Sequence, residues 1–429
     1  MQRAIVKYSI IIIFALICKE KIYAQEIIKF TVEQAEKRFL EKNLELLAER
    51  YNIDIADAAI IEAKLLNNPT IGVGGLNFWN PNGVAEEMDF SPATFGKGVV
   101  FSVELEQMIT TAGKRRKLVN LEKMSKEIAV QEFEMFLLGL KTELRTILNE
   151  TIYLQSYIEI VKFQQETVNK LVEVYKTQSS RGNIPKSELI RLQSSLIELE
   201  SETIEIQTEL NSLYKELKIL LNISPETNIL ILGSEITTKN PNEISLIDLL
   251  EKAKNARPEF LLSDLNIKYN EKLLVYEKSQ RVPDIALSLN YDRYDGLWRN
   301  FVSLGVSFDI PIFNRNQGNI KMAKIQIEQS NYYAEYQKNV IQQEIIEIYN
   351  KYKINYDFYK KIMDNDFSED LENMFNAYSQ QLLNRNINML EYLDFMEAYK
   401  TTKQAILTAK KNLDTSFAEL EFSVNGEIK

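Results

Sequence analysis

Residues 137–175 read LLGLKTELRTILNETIYLQSYIEIVKFQQETVNKLVEVY. Apolar side chains return at alternating steps of three and four: Leu137, Leu140, Leu144, Ile147, Leu154, Ile158, Val161, Val168, Val172 and Tyr175. Thr151 and Gln165 hold the same seam. A period of 3.5 sustained over more than four heptads is a coiled-coil signal. The flanks allow the helix to be long. Of the nine prolines none lies between Pro92 and Pro185, and only Gly139 intervenes between Gly113 and Gly182. Proline removes a backbone donor and clashes with the preceding turn, so its absence permits a helix over 114–180. At ~1.5 Å per residue that helix is about 100 Å long. Glu, Lys and Gln cover its other faces, so it is not a membrane span.

A second seam runs through Leu192, Leu196, Leu199, Thr203, Ile206, Leu210, Leu213, Leu217 and Leu220. A third, less strict, runs through Ile341, Ile345, Ile348, Tyr352, Asn355, Tyr359 and Ile362. No proline follows Pro311 and no glycine lies between Gly318 and Gly426. The expectation is two uninterrupted helices of about 67 residues, each returning through a shorter partner.

Four segments alternate with period 2. The first covers about Asn68 to Phe78. In the second, Val99, Phe101, Val103 and Leu105 alternate with Ser102, Glu104 and Glu106. In the third, Ile285, Leu287, Leu289 and Tyr291 alternate with Ser288, Asn290 and Asp292. In the fourth, which extends to Ile310, Val302, Leu304, Val306 and Phe308 alternate with Ser303, Gly305, Ser307 and Asp309. Each is about ten residues long, the length of a tilted transmembrane strand with one face to lipid and one to a polar lumen. A packed core rejects a face carrying Glu104, Glu106, Asn290, Asp292 and Asp309, whereas a water-filled channel accepts it.

The order of strand, loop, strand, long helix, tip and return helix occurs twice. Pro69 corresponds to Pro283, Phe101-Ser-Val and Gly113 to Val306-Ser-Phe and Gly318, Tyr175 to Tyr378, and Asn183-Ile184 to Asn386-Ile387. The division is a first repeat over 25–222, a connector over 223–245 and a second repeat over 246–425. Residues 1–24 carry Arg3 and Lys7, an apolar run from Tyr8 to Ile17 and a small residue, Ala24, before Gln25. That is the pattern of a secretory signal peptide. Cys18, the one cysteine, lies in it behind Ile17, where acylation requires a small residue, so lipidation is disfavoured. Removing the segment takes away four basic residues and one acidic one, and the formal charge falls from −10 to −13.

Composition narrows the chemistry. There is no His among 429 residues, which excludes Ser-His-Asp triads, Cys-His pairs and His-ligated zinc. The acidic balance argues against nucleic acid, whose phosphates need a basic face. No enzyme, cofactor or resident metal is expected. Four strands cannot close a barrel, for which about eight is the minimum, and open edges are not tolerated in lipid. Membrane strands therefore require an oligomer sharing one barrel.

Across residues 25–425 this organisation resembles the TolC-like outer-membrane efflux protein family. The resemblance rests on Asn68-Pro69, Thr111-Ala-Gly-Lys-Arg-Arg116, Asp309-Ile-Pro-Ile-Phe-Asn-Arg315 and the tips Arg181–Leu189 and Asn384–Asp394, in their order and duplication. It implies a mainly α fold with membrane β, and a homotrimer whose 12-stranded outer-membrane barrel continues as a periplasmic helical barrel. It implies an exit duct of a tripartite pump, with a periplasmic adaptor and an inner-membrane transporter of the RND type. The Thr-Ala-Gly-Lys-Arg stretch leans toward the heavy-metal cation branch, with drugs or other small molecules left open. By the same resemblance Glu391 and Asp394 line the periplasmic constriction, and Gly182, Asn183, Glu188, Asn386 and Ile387 are tip contacts with adaptor or neighbour. Arg385 stands where the family has Gly, and Leu382 and Ile387 stand where it has polar gate links. The competing expectation is a secreted coiled-coil scaffold or adhesin without a channel, which gives no reason for paired ten-residue strands.

Overall fold

The computed structural model describes residues 27–79, 92, 95, 99–233, 238–295, 298–364, 367–426 and 428. The signal-like segment with Cys18 and most of the loop 79–98 lie outside the described residues. The first repeat comprises β1 (Ile27–Thr31), α1 (Val32–Lys42), α2 (Leu44–Lys64), β2 (Thr70–Asn77), β3 (Val100–Ile109), α3 (Lys114–Ser180) and α4 (Lys186–Leu220). Between the repeats lies β4 (Asn228–Leu232), and the second comprises α5 (Leu246–Ala256), α6 (Pro258–Ser279), β5 (Ile285–Asp295), β6 (Trp298–Ser307), α7 (Gln317–Met363), α8 (Phe367–Leu383) and α9 (Met389–Ser423).

The coiled-coil seam is the core. Leu144, Ile147, Thr151, Leu154, Ile158, Val161, Val168, Val172 and Tyr175 of α3 are all buried, as are Leu192, Leu199, Thr203, Ile206, Leu210, Leu217 and Leu220 of α4. Each fully buried Leu or Val contributes about 1.5–3 kcal/mol relative to exposure. One seam position differs from expectation: Gln164 is buried and donates to the Met396 carbonyl at 3.1 Å, while Gln165 is half-buried. The long helices form a layer. Next to the sheet, α3 packs between α2 and α6, and α6 against α7. Further away α3 packs between α4 and α9, and α9 against α7 and α8.

The duplication is closer than the sequence matches indicated. A constant offset of 203 residues relates Gly113 to Asn316, Gly182 to Arg385 and Asn222 to Asn425, all with positive φ. The same offset relates α4 to α9, each 35 residues long. Gly113 therefore corresponds to Asn316 and not to Gly318, which lies inside the first turn of α7. Both helices start from a left-handed residue, a conformation that Gly and Asn tolerate best.

Two expectations are corrected, and one element was not foreseen. The second long helix is broken: α7 ends at Met363 with Asp364 as its C-cap, and α8 begins at Phe367. Asp364 is a poor helix former, and it places negative charge at the negative end of the helix dipole. The connector contains β4, which pairs in parallel with β1 from Ile27↔Asn228 to Thr31↔Leu232. The fourth strand ends at Ser307, so Asp309 lies beyond it. Its partner β5 starts at Ile285, after Pro283 and Asp284, so nothing continues the ladder opposite Asp309.

Candidate functional site

Strands β2, β3, β5 and β6 form one antiparallel sheet in that order. Residues directly opposite each other share a face. Glu104 stands opposite Gly72 on one side and Asn290 on the other, and Asn290 stands opposite Ser303. Glu106 is aligned with Thr70 and Ser288, and Ser102 with Gly74 and Asp292. One face therefore gathers Glu104, Glu106, Asn290 and Asp292, as expected from the alternation. On this face a Cβ added at Gly305 would meet Ser288 Oγ at 2.5 Å.

The other face is apolar and exposed. Ile71 is 69%, Val306 66% and Leu304 85% accessible, and Val73, Leu105, Leu287, Leu289 and Val302 are exposed beside them. At the end of the sheet far from the helices, Phe78, Trp79 and Phe95 cluster, with Phe78 and Phe95 stacked at 5.5 Å. Both sheet edges, β2 and β6, lack a strand partner among the described residues. Among the described residues no helix is long and apolar enough to cross a membrane.

The sheet joins the helices through a polar knot. Lys114, at the start of α3, pairs with Asp284 at 2.9 Å. Asp284 also accepts the Thr111 N–H at 2.8 Å, and the Thr111 hydroxyl donates to the Pro283 carbonyl at 2.6 Å. Burial alone would raise the Asp284 pKa. The Lys114 ammonium and the Thr111 amide outweigh it and hold the carboxyl below its ordinary value. The Thr-Ala-Gly-Lys stretch thus has a structural use here: Ala112 and Gly113 take positive φ so that Thr111 and Lys114 both reach Asp284. In the second repeat Asn316 Nδ2 donates to the Glu277 carbonyl at 2.9 Å and to its carboxylate at 2.6 Å. Asp284 was not singled out from the sequence, because nothing local marks an acid whose partner lies 170 residues earlier.

At the opposite end lie the two tips. Asn183 N–H donates to Gln178 O at 3.0 Å and Asn386 N–H to Gln381 O at 2.9 Å. Gly182 and Arg385 form the equivalent bonds to Ser179 and Leu382. Both tips are left-handed helix stops. Asn183 Nδ2 also donates to Gln178 Oε1 at 2.8 Å. Glu188 lies half-buried in the first turn of α4. Ile387 packs against the core that holds Tyr175, Leu192, Leu382 and Tyr392. Leu382 is 2% exposed. Glu391 is the third residue of α9 and caps it: its Oε2 accepts the Asn388 N–H at 3.0 Å while Asn388 Oδ1 accepts the Glu391 N–H at 2.9 Å. Asp394 follows one turn later, exposed on the same helix face.

The repeats are also tied along their length. Lys400 pairs with Glu202 at 3.0 Å and Lys411 with Glu150 at 2.8 Å. Beside Lys411, a cavity of about 130 Å³ is lined by Asn149, Tyr153, Ser156, Lys410 and Asp414. Burial pushes the Asp414 carboxyl up to about 6, opposed by Lys410 and Arg145.

No family model matches the chain. A stretch of 76 residues is 34% identical to the cobalt-zinc-cadmium resistance protein CzcC of Cupriavidus metallidurans, and it spans 18% of either protein. The fold matches solved outer-membrane channels over nearly its whole length. The outer membrane channel CmeC of Campylobacter jejuni aligns with a TM-score of 0.74 at 14% identity, covering 92% of this chain and 85% of that one. CusC, described as forming a transmembrane channel, aligns at 0.73 and 14% identity over 95% and 96%. The outer membrane protein VceC of Vibrio cholerae aligns at 0.70 and 14% identity over 92% and 96%.

Proposed function

We propose that this chain, which has the fold of outer-membrane channel proteins, is itself an outer-membrane channel: the exit duct of a tripartite efflux pump. The observation that carries the proposal is the two-faced sheet. An exposed apolar face opposite a face with Glu104, Glu106, Asn290 and Asp292 suits a wall between lipid and water. A four-stranded sheet with two open edges is unstable in lipid, so several copies share one barrel. By its likeness to such channels the assembly is a homotrimer with 12 strands, four from each copy. α3, about 100 Å long at ~1.5 Å per residue, then reaches from that barrel into the periplasm.

The duct is passive. It performs no covalent chemistry, and its partners are a periplasmic adaptor at the tips and an inner-membrane transporter, of the RND type, that loads the cargo. Three copies of Glu391 and Asp394 set a ring of carboxylates at the periplasmic constriction, which attracts cations and repels anions. The likeness to a cobalt-zinc-cadmium resistance protein supports divalent metal cations as cargo. Membrane fractionation tests the assignment: the protein is expected in the outer membrane as a heat-modifiable trimer, and a soluble periplasmic monomer contradicts it.

A further inference from the structure

Four cations gather where the second repeat passes from sheet to helix. Arg281 lies between α6 and β5, and Arg315 between β6 and α7. With Lys321 and Lys324 of α7 and with Phe313 they line an open cavity of about 450 Å³, and no acidic side chain lines it. All four are exposed, and among the described residues none of them forms an ion pair. Arg315 Nε donates to the Ile312 carbonyl at 3.2 Å. Two acids belong to the same junction. The Glu277 carboxylate accepts from Asn316 Nδ2 at 2.6 Å, and Asp309 is exposed in the link after β6. Neither lines the cavity.

The scaffold does not require this charge. At the offset of 203 the first repeat has Ala112, Leu118 and Leu121 in place of Arg315, Lys321 and Lys324. Its long helix starts from the same left-handed turn. Like charges at helical spacing repel, and the start of α7 is the positive end of its dipole, which disfavours cations. The cluster also runs against a net charge of −10. Cations that cost stability and have no partner within the chain fit an anion from outside it.

Position selects the anion. The exposed apolar series Val302, Leu304 and Val306 of β6 continues past the strand as Phe308, Ile310 and Ile312, all exposed. Phe313, at the cavity, is 92% accessible. Apolar surface therefore leads from the sheet to the cations. A free anion matches only the cations, whereas a phosphate carrying acyl chains matches both surfaces. Guanidinium groups bind phosphate oxygens through paired bonds, and ammonium groups attract them as point charges.

We propose that this cavity binds the phosphate headgroup of an anionic glycerophospholipid, with the acyl chains laid along the apolar series. The proposal rests on the channel reading, which puts the sheet in the bilayer and the helices in the periplasm. The site then lies at the headgroup level on the periplasmic side and anchors the junction there.

Native mass spectrometry of the full-length protein tests the site, in detergent micelles doped with palmitoyl-oleoyl phosphatidylglycerol or the matching phosphatidylcholine. Wild type is expected to retain phosphatidylglycerol at least about tenfold better. Arg281→Gln, Lys321→Gln and Lys324→Gln combined are expected to erase that preference. Lys338→Gln, Lys353→Gln and Lys360→Gln combined, the same charge change further along α7, are expected to keep it. Equal retention of the two lipids by wild type overturns the proposal, as does a preference that survives in the first triple variant. Loss of the trimer in that variant alone, before lipid is added, also overturns it and makes the cavity a contact with a neighbouring copy. Inorganic phosphate that binds as tightly as phosphatidylglycerol overturns the lipid in favour of a free anion. Planar-bilayer recording separates the two levels. Lipid preference in a protein that never conducts supports the site and removes the channel, and conductance without lipid preference does the reverse.

Discussion

Lys114 and Asp284 form a 2.9 Å ion pair that ties the first repeat to the second where the helices give way to the sheet. Their side chains are 9% and 26% accessible, so the pair is largely desolvated. Breaking such a pair strands a charge, whereas removing both partners together costs less. Asp284→Asn and Lys114→Met are each expected to lower stability by about 2–4 kcal/mol, and the double variant by less than the sum. The folded Asp284 pKa lies below its ordinary value, so its contribution is present above about pH 4 and is lost as pH falls through the folded value. Melting at pH 7 and below pH 3 checks both points. Equal wild-type and Asp284→Asn stability at pH 7 contradicts them.

Asp414 carries the opposite sign. Its folded pKa, about 6, lies above its ordinary value of 3.8, so the folded state binds the proton more tightly. Stability falls as pH rises through that window, and the cost is fully present above it. Asp414→Asn is expected to stabilise the protein at pH 7.5 by about 1–3 kcal/mol and to be neutral near pH 3.5. A variant equally stabilising at both values argues against the buried carboxyl as the cause.

Adjacent residues of β6 should respond in opposite ways to the same substitution. Leu304→Arg places a charge on the apolar face, at about 2–4 kcal/mol near mid-membrane, and should block assembly in the outer membrane. Ser303→Arg lies on the face with Asn290 and should be tolerated. Trimer yield in outer-membrane fractions distinguishes them, and equal yields contradict the assignment of the two faces.

The charge of the inferred constriction is testable without disturbing its fold. Glu391 caps α9 through Oε2, so Glu391→Ala mixes loss of charge with loss of a cap. Glu391→Gln retains an acceptor. Combined with Asp394→Asn it is expected to weaken block by divalent cations by at least about tenfold. Unchanged block removes both residues from the pore.

What was legible in the sequence had a period. Val161 and Leu192 declare their burial by spacing, and Glu104 and Asn290 declare their shared face by alternation. What was not legible had no local signal. β1 and β4 are five residues each, too short for alternation to stand out, and each finds its partner about 200 residues away. Asp284 and Lys114 meet only because the repeats interlock. The stop at Met363 falls at Asp364, a poor helix former, where the seam is weak. Asp309 kept the polar parity of its strand but ran past the end of its partner. Arg385 was noted as a departure from Gly, yet its bond to Asn183 is a property of the folded tips.

In the proposed assembly, copies of this chain enclose a water-filled path across a lipid bilayer. The most direct measurement is the conductance of the purified oligomer in a planar bilayer. Discrete, cation-preferring steps that shrink or close as divalent cations are added to the side carrying the helical tips are predicted. An oligomer that inserts stably and passes no ionic current contradicts such a path.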